Sequence, residues 1–418
     1  MRDGDATAAS SGAVPGAGPT YRIAAIPGDG VGPDVVAAAR DVLEAAAGLF
    51  GFRLAWTEHV VGGAAIDAYG VPLRDDDLAA CGAADAILLG AVGGPRWDDP
   101  NAKVRPEQAL FALRGGLELF ANLRPVAVHP ALAGSAPVRP ELLAGVDLLI
   151  VRELTGGLYF GRPSEERQLA DGRVAVDTLW YTEDEIRRVV RLAFELARSR
   201  RRKVTQVDKA NVLASSRLWR KVTEEVHADF ADIELEHRLV DAAAMLLITR
   251  PAAYDVIVTE NLFGDILSDE ASVLAGSLGM LPSASIGTRR TDHGLFGLYE
   301  PIHGSAPDIA GRDVANPIGT ILSTAMLLRW SLGRDDAASA VEAAVTRVLD
   351  DGFRTRDLIP GDPAGPEADG LRLVGTRAMT AAIVERLLGP ATGGGDADSP
   401  GDDEVATMVA TDTLLGLL

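Results

Sequence analysis

Short apolar runs alternate along this chain with stretches whose apolar positions recur every three to four residues. Residues 21–26, 86–90, 147–152, 203–208 and 254–259 are aliphatic and rich in β-branched side chains, and Gly, Pro or charged residues bound them. Such runs fit strands covered on both faces. Residues 52–60 and 172–179 read as further strands. The helical period runs through 34–50, 107–119, 183–198, 218–227, 316–332, 339–350 and 376–388, with 183–198 the most clearly two-faced. Strands alternating with helices over this length predict an α/β protein. No internal repeat is evident.

Composition narrows the picture. A chain of 418 residues exceeds the roughly 250–300 at which single cores stop growing, so two domains are expected. Residues 1–20 are small and polar, without the basic start and apolar centre of a signal peptide, and read as a loose tail. The stretch from 389 to 418 is acidic and low in complexity before a short apolar end at 405–418, and it reads as a disordered tail. No apolar run is long enough to span a bilayer. A net charge of −20 argues against nucleic acid as a partner. Cys81 is the only cysteine, which excludes an internal disulfide and fits a reducing cytoplasm.

The candidate chemistry gathers in a few places. After the strand at 254–259 comes NLFGDILSDEASVLAGSLGMLPSAS (261–285), in which Asp265 and Asp269 fall four apart on one helical face. Alone, such a pair is ordinarily a solvated acidic face near a helix start. As a ligand pair, its hard oxygens without Cys or His suit Mg²⁺ or Mn²⁺. Arg114, Arg124 and Arg152 fall near element ends, and three converging guanidiniums would clamp a substrate bearing more than one carboxylate. Lys209 lies just past an apolar strand, where burial would suit it to proton transfer. Tyr159 sits in a glycine-flanked turn, compatible with a phenol beside a ligand and equally with a core tyrosine. The turn at 27–33, PGDGVGP, resembles a dinucleotide fingerprint but carries Pro33 where the third glycine belongs, so a Rossmann site is not expected.

Six ordered motifs, PGDGVGP, LFANLRP, VRELTGGLYFG, VDKANVL, the 261–285 block and EPIHGSAPDIAG followed by NP, resemble the metal-dependent decarboxylating β-hydroxyacid dehydrogenases of the isocitrate/isopropylmalate family. The likeness spans about 21–388 and is strongest to the isopropylmalate enzymes. It implies a two-domain isopropylmalate dehydrogenase-like α/β fold with a large mixed sheet. One domain, 21–119 plus 276–388, would bind the cofactor, and the other, 120–275, would hold metal and substrate and form a homodimer. Arg114, Arg124 and Arg152 would grip the malate carboxylates, and Asp241, Asp265 and Asp269 the metal, with Asp241 also touching substrate. Tyr159 and Lys209 would move protons, and Lys209 and Asp241 would reach in from a partner subunit to give shared active sites. His303, Gly304, Ser305, Ala306, Pro307, Asp308, Ile309 and Asn316 would hold NAD, with Asp308 refusing a 2′-phosphate and Ile309 beside it offering no positive charge.

Glu107 and Leu110, with Val31 nearby, would read the substrate side chain, since a leucine suits an isopropyl group and a glutamate repels a third carboxylate. The implied reaction is oxidative decarboxylation of (2R,3S)-3-isopropylmalate to 4-methyl-2-oxopentanoate with NAD reduction, a step of leucine biosynthesis. A sister enzyme for tartrate, malate or homoisocitrate would share this machinery, and a non-catalytic regulatory subunit would lack part of it. The segment 287–297 is longer than the family pattern and suggests an enlarged surface loop near the cofactor.

Overall fold

A computed structural model describes residues 18–99, 102–362, 365 and 368–389. The expected tails therefore lie outside the described residues up to 17 and from 390 onward, and Thr20 already belongs to the first strand. In chain order the strands are β1 (Thr20–Gly28), β2 (Arg53–Glu58), β3 (Ala86–Ala91), β4 (Ala121–Ala127), β5 (Asp147–Glu153), β6 (Ser164–Leu169), β7 (Gly172–Asp177), β8 (Lys203–Asp208), β9 (Glu234–Leu239), β10 (Val256–Thr259), β11 (Pro282–Arg290), β12 (Leu295–Pro301), β13 (Phe353–Arg354) and β14 (Arg372–Leu373). The helices are α1 (Gly32–Phe50), α2 (Gly63–Tyr69), α3 (Asp75–Ala83), α4 (Gln108–Gly116), α5 (Glu183–Arg198), α6 (Ala214–His227), α7 (Val240–Thr249), α8 (Asn261–Ser272), α9 (Ile318–Trp330), α10 (Asp335–Asp350) and α11 (Thr376–Leu388).

One ten-stranded sheet carries the fold in the order β2-β1-β3-β12-β11-β4-β5-β10-β8-β9. Its flanks are parallel, while β12, β11, β4 and β5 pair antiparallel at the centre. This is the large mixed sheet expected, and the antiparallel centre separates it from a Rossmann sheet. The centre has a narrow seam: β11 meets β4 only through Ala284–Leu123, Ser285–Asn122 and Ile286–Ala121. Helices α1, α9, α10 and α11 pack together on the side of β1, β3 and β12, and α5 with α6 on the side of β8 and β10.

Local chemistry accounts for the elements. Thr182 and Glu185 form a reciprocal capping box at the start of α5, whose stripe Ile186, Val189, Val190, Ala193 and Ala197 is buried. Pro33 occupies the first turn of α1, and Gly51 ends it in the left-handed conformation. Every residue of α9 is buried, which explains why its sequence shows apolar content without a polar face.

Two departures are informative. The strand expected at 172–179 pairs as β7 with β6 in a separate hairpin, which SEERQL did not announce because no side of it is buried. The enlarged loop expected at 287–297 is instead the tip of the β11–β12 hairpin, closed by Thr291 N–H donating to Gly294 O at 2.8 Å. Its His293 packs on Tyr21 with ring centroids 4.7 Å apart, at the end of β12 opposite His303.

Candidate active site

Three arginines converge beside the seam. Arg124 lies on β4, Arg152 near the end of β5 opposite Asn122, and Arg114 in the last turn of α4; all three are buried. Helix α8 lies directly over the Arg152 stem, and a Cβ on Gly264 would come within 2.6 Å of Arg152 Cγ. Arg152 Nε and Nη2 donate to Asn261 Oδ1 at 3.0 and 2.9 Å, and Nη1 donates to Asp265. Arg124 Nε donates to Asn122 Oδ1 at 2.6 Å, while Nη1 donates to Ser268 Oγ at 2.6 Å and Asp269 Oδ1 at 3.2 Å. Arg114 Nη2 donates to Glu300 Oε1 at 3.0 Å. The turn after β5 places Gly157 at φ +73°, and its last residue, Tyr159, donates its hydroxyl to Asp265 Oδ2 at 2.9 Å.

Arg114, Arg124, Arg152, Tyr159, Asp265 and Glu300, with Glu107, Leu110 and Phe111 from the start of α4 and the tip of β12, line a cavity of about 340 Å³. Its electrostatics follow from crowding of like charges. Burial first, then the neighbouring Arg124, pushes Arg152 down to about 10. Burial and the nearby Arg114 likewise lower Arg124 against the pull of Asp265 and Asp269. Burial alone would raise Asp265, yet Arg152, Arg124 and the Tyr159 hydroxyl hold it below the ordinary carboxylate range. Asp269 goes the other way, raised by burial and by Asp265. Tyr159 is pushed up to about 12 by burial and the Asp265 carboxylate.

A second cleft of about 740 Å³ adjoins the first and shares His303 and Gly304 with it. Val31, Leu278, Ala306, Ile309 and Ala315 give it apolar walls, and Asn316, Arg312 and Asp357 line it as well. His303 is largely enclosed, and its Nε2 is buried without a hydrogen-bond partner among the described residues. Burial lowers the His303 imidazole, keeping it neutral near pH 7.

Of the residues singled out in the sequence, Arg114, Arg124, Arg152, Tyr159, Asp265, Glu107 and Leu110 meet in the smaller cavity. Val31, expected at that pocket, lies along the other cleft, packed with Val35 and Ala315. His303, Gly304, Ala306, Ile309 and Asn316 line the larger cleft; Ser305 supports it by accepting Val31 N–H at 2.7 Å, and Pro307 and Asp308 stay exposed. Lys209 and Asp241 are not brought to the arginine pocket. They pair with each other at 2.8 Å, and the Lys209 hydrogen bond lowers Asp241. Among the described residues no three His, Cys, Asp or Glu side chains assemble into a metal site. Asp265 and Asp269 instead flank the Arg124 guanidinium, at 3.6 and 3.2 Å.

The sequence profile of the isocitrate/isopropylmalate dehydrogenases matches residues 22–383. The chain belongs to that family. It is 58% identical over 367 residues to a protein from Anaeromyxobacter dehalogenans named 3-isopropylmalate dehydrogenase, covering 88% of this chain and 99% of that one. A Bacillus licheniformis protein of the same name is 58% identical over 341 residues, covering 81% of this chain and 91% of the relative. Among solved structures, isocitrate dehydrogenase from Methylococcus capsulatus superposes with a TM-score of 0.76 at 36% identity, covering 88% of this chain and all of that one. An apo β-decarboxylating dehydrogenase from Thermococcus kodakarensis gives 0.67 at 36% identity, covering 88% of this chain and 96% of that one.

Sequence reasoning missed several members of the site. Glu300 opens EPIHG, yet only its pairing with Arg114 reveals a role. Asn122 and Asn261, not singled out within their motifs, hold the backs of two arginines. Arg312 was missed because it stands four residues after Asp308. It lines the larger cleft and donates to Asp308 O at 3.2 Å, putting a positive charge where only Ile309 had been weighed.

Proposed function

We propose that the protein oxidatively decarboxylates (2R,3S)-3-isopropylmalate to 4-methyl-2-oxopentanoate with reduction of NAD, the leucine-biosynthetic reaction for which its closely similar relatives are named. One observation carries the reading: three buried guanidiniums share a small cavity with Leu110 and Glu107, and that cavity opens through His303–Gly304 into an apolar cleft. Arg114, Arg124 and Arg152 neutralise the two substrate carboxylates, and Leu110 and Phe111 receive the isopropyl group. Glu107 disfavours a third carboxylate, so isocitrate loses more than the roughly 1–3 kcal/mol that a methylene can decide.

The dinucleotide would lie along Val31, His303, Gly304, Ala306, Ile309 and Asn316, where the partnerless His303 Nε2 awaits a polar group. Asp308 would accept from the ribose hydroxyls. Asp265 and Asp269, with Asp241 of a second copy, would hold Mg²⁺ or Mn²⁺, since the oxygen-only donors suit either. When bound, the dinucleotide supplies the hydride acceptor and the cation supplies Lewis acidity at the substrate oxygens. Lys209 of the second copy takes the substrate hydroxyl proton, and Tyr159 returns a proton to the carbon that has lost CO₂.

A homodimer with shared sites supports this division of labour. Met245 on α7 and Ile266 on α8 expose 65% and 56% of their surface on packed neighbouring helices, and the β6–β7 hairpin stands clear with Leu169, Val174 and Val176 uncovered. A second copy covering these faces would bring Lys209 and Asp241 across. We further assign domain boundaries at 119/120 and 275/276, so that the β4–β11 seam joins the two halves of each chain.

The test is NADH formation from 3-isopropylmalate and isocitrate in parallel, with NAD⁺ or NADP⁺, with and without Mg²⁺. Turnover confined to isopropylmalate, NAD⁺ and metal is expected. Turnover of isocitrate overturns the roles of Glu107 and Leu110, NADP⁺ use shows Arg312 outweighing Asp308, and silence throughout indicates a non-catalytic subunit.

A further inference from the structure

The geometry points to Asn122 and Asn261 as positioning residues that aim the substrate-facing arginines while leaving their charge unspent. This inference rests on the proposed substrate class. The two arginines are held alike. In each, the Nε edge of the guanidinium donates to the side-chain oxygen of a buried asparagine, Asn122 for Arg124 and Asn261 for Arg152. Asn122 and Asn261 are 0% and 1% exposed. A planar guanidinium has two usable edges, so a fixed Nε edge turns the remaining donors toward the cavity.

A carboxylate at the same place would give a stronger, charge-assisted fork and would compete with the substrate for the same positive charge. The amide orients without competing. Its other end adds a second function, because an amide also donates. Asn261 Nδ2 donates to Gly156 O at 3.1 Å, tying Arg152 to the turn that presents Tyr159. Asn122 Nδ2 lies 3.2 Å from Ser285 Oγ and 3.3 Å from Ala284 O on β11, tying Arg124 to the seam between the two halves of the sheet. Asn261 is itself anchored: its N–H donates to Tyr181 Oη at 3.0 Å, and Tyr181 donates to Glu260 at 3.3 Å. Arg114 is the contrast, since its partner is the carboxylate Glu300 and its Nε is buried with no partner among the described residues. Arg114 thus meets the substrate from beside a buried counter-charge, while Arg152 and Arg124 pair with the more exposed Asp265 and Asp269, carboxylates that a metal ion would draw away.

Asn261→Asp keeps size and acceptor but adds charge. We expect its KM for 3-isopropylmalate to rise at least about tenfold, the scale of one charged hydrogen bond, with the KM for NAD⁺ unchanged. Binding of 3-isopropylmalate to the Mg²⁺-loaded enzyme, followed by calorimetry, should weaken by a similar factor. Asn122→Asp should behave likewise, and Asn261→Ser, short and uncharged, should lower kcat more than it raises that KM. A general structural role predicts instead that both KM values and the melting temperature move together in every variant. An Asn261→Asp enzyme with the wild-type KM for isopropylmalate overturns the inference. If Asn261→Asp fails to fold, Asn122→Asp decides by the same readout, and if neither folds the shared structural role stands in place of the inference. A wild-type enzyme that does not bind isopropylmalate removes the substrate assignment first, so the two failures are distinguishable.

Discussion

Arg152 and Arg329 are both buried arginines, and they live opposite lives. Arg329 on α9 gives two bonds to Glu342 on α10, at 2.7 and 2.9 Å, and one to Asp335 at 2.5 Å. Although burial alone would lower it, those carboxylates hold Arg329 above the ordinary arginine value. Arg152 is as deeply buried, yet burial and Arg124 push it down to about 10, and its only carboxylate partner among the described residues is the partly exposed Asp265. The difference lies in the counter-charge. A guanidinium held two-pronged by a carboxylate buried with it, as Arg329 is by Glu342, is a strut between helices, whereas one backed by an amide and facing an open cavity retains attraction for an incoming anion.

Exchanging the two losses should break the comparison most visibly. Arg152→Met should reduce kcat/KM on the order of a thousandfold, since truncating one member of a buried charge pair costs about 2–5 kcal/mol, while the fold survives. Arg329→Met should do the reverse: Glu342 is left buried without its partner, stability falls by about 3–5 kcal/mol, and activity per folded molecule at low temperature stays close to wild type. Arg329→Met with Glu342→Leu should regain most of the lost melting temperature. Steady-state kinetics and thermal unfolding on the same preparations check all three. Equal loss of activity in both single variants would mean that burial alone, and not the counter-charge, sets the role.

The next effect is smaller and sits at the cavity mouth. Glu107→Gln with Leu110→Ser should cost isopropylmalate about 10- to 100-fold in kcat/KM and narrow its advantage over isocitrate, because an apolar contact and a repulsive charge vanish together. An unchanged substrate ratio would show that other side chains read the substrate. Tyr159→Phe should lower kcat with little change in KM. The raised phenol stays protonated through the neutral range and ionises only near pH 12, so it should contribute no alkaline limb below about pH 10. An alkaline limb near pH 8 that disappears in Tyr159→Phe would contradict that assignment.

The sequence marked out Arg114, Arg124, Arg152, Asp265 and Tyr159, which the fold brings to one cavity, because charge and placement beside glycine turns and element ends show in motif spacing. It also carried the mixed-sheet fold, through resemblance and not through periodicity. What stayed hidden has a physical cause in each case. Asn122 and Asn261 matter through partners far off in sequence, Ser285 for one and Arg152 for the other. The β6 strand shows no alternation because none of the described residues buries either of its faces. The tip of the β11–β12 hairpin is polar, so TRRTDHG looked like loose chain although Arg289 stacks over Phe296 at 4.1 Å.

The smallest effect separates two carboxylates one helical turn apart. Asp265 is depressed by its arginines, so its ionised form favours folding above the unfolded pKa, and that contribution is lost as the pH falls through the folded value. Asp269 is raised, so ionising it opposes folding once the pH climbs past the unfolded value. At pH 7 without divalent metal, Asp269→Asn should therefore raise the melting temperature slightly, and Asp265→Asn should lower it. Adding Mg²⁺ or Mn²⁺ should reverse the first ranking: a ligand bound only to the folded state stabilises by RT ln(1 + [L]/Kd), and Asp269→Asn loses a donor. Melting curves across metal concentrations at pH 7 read both signs. A metal-free Asp269→Asn protein that melts lower than wild type would show that Arg124 already balances both carboxylates, leaving no unmet negative charge to recruit a cation.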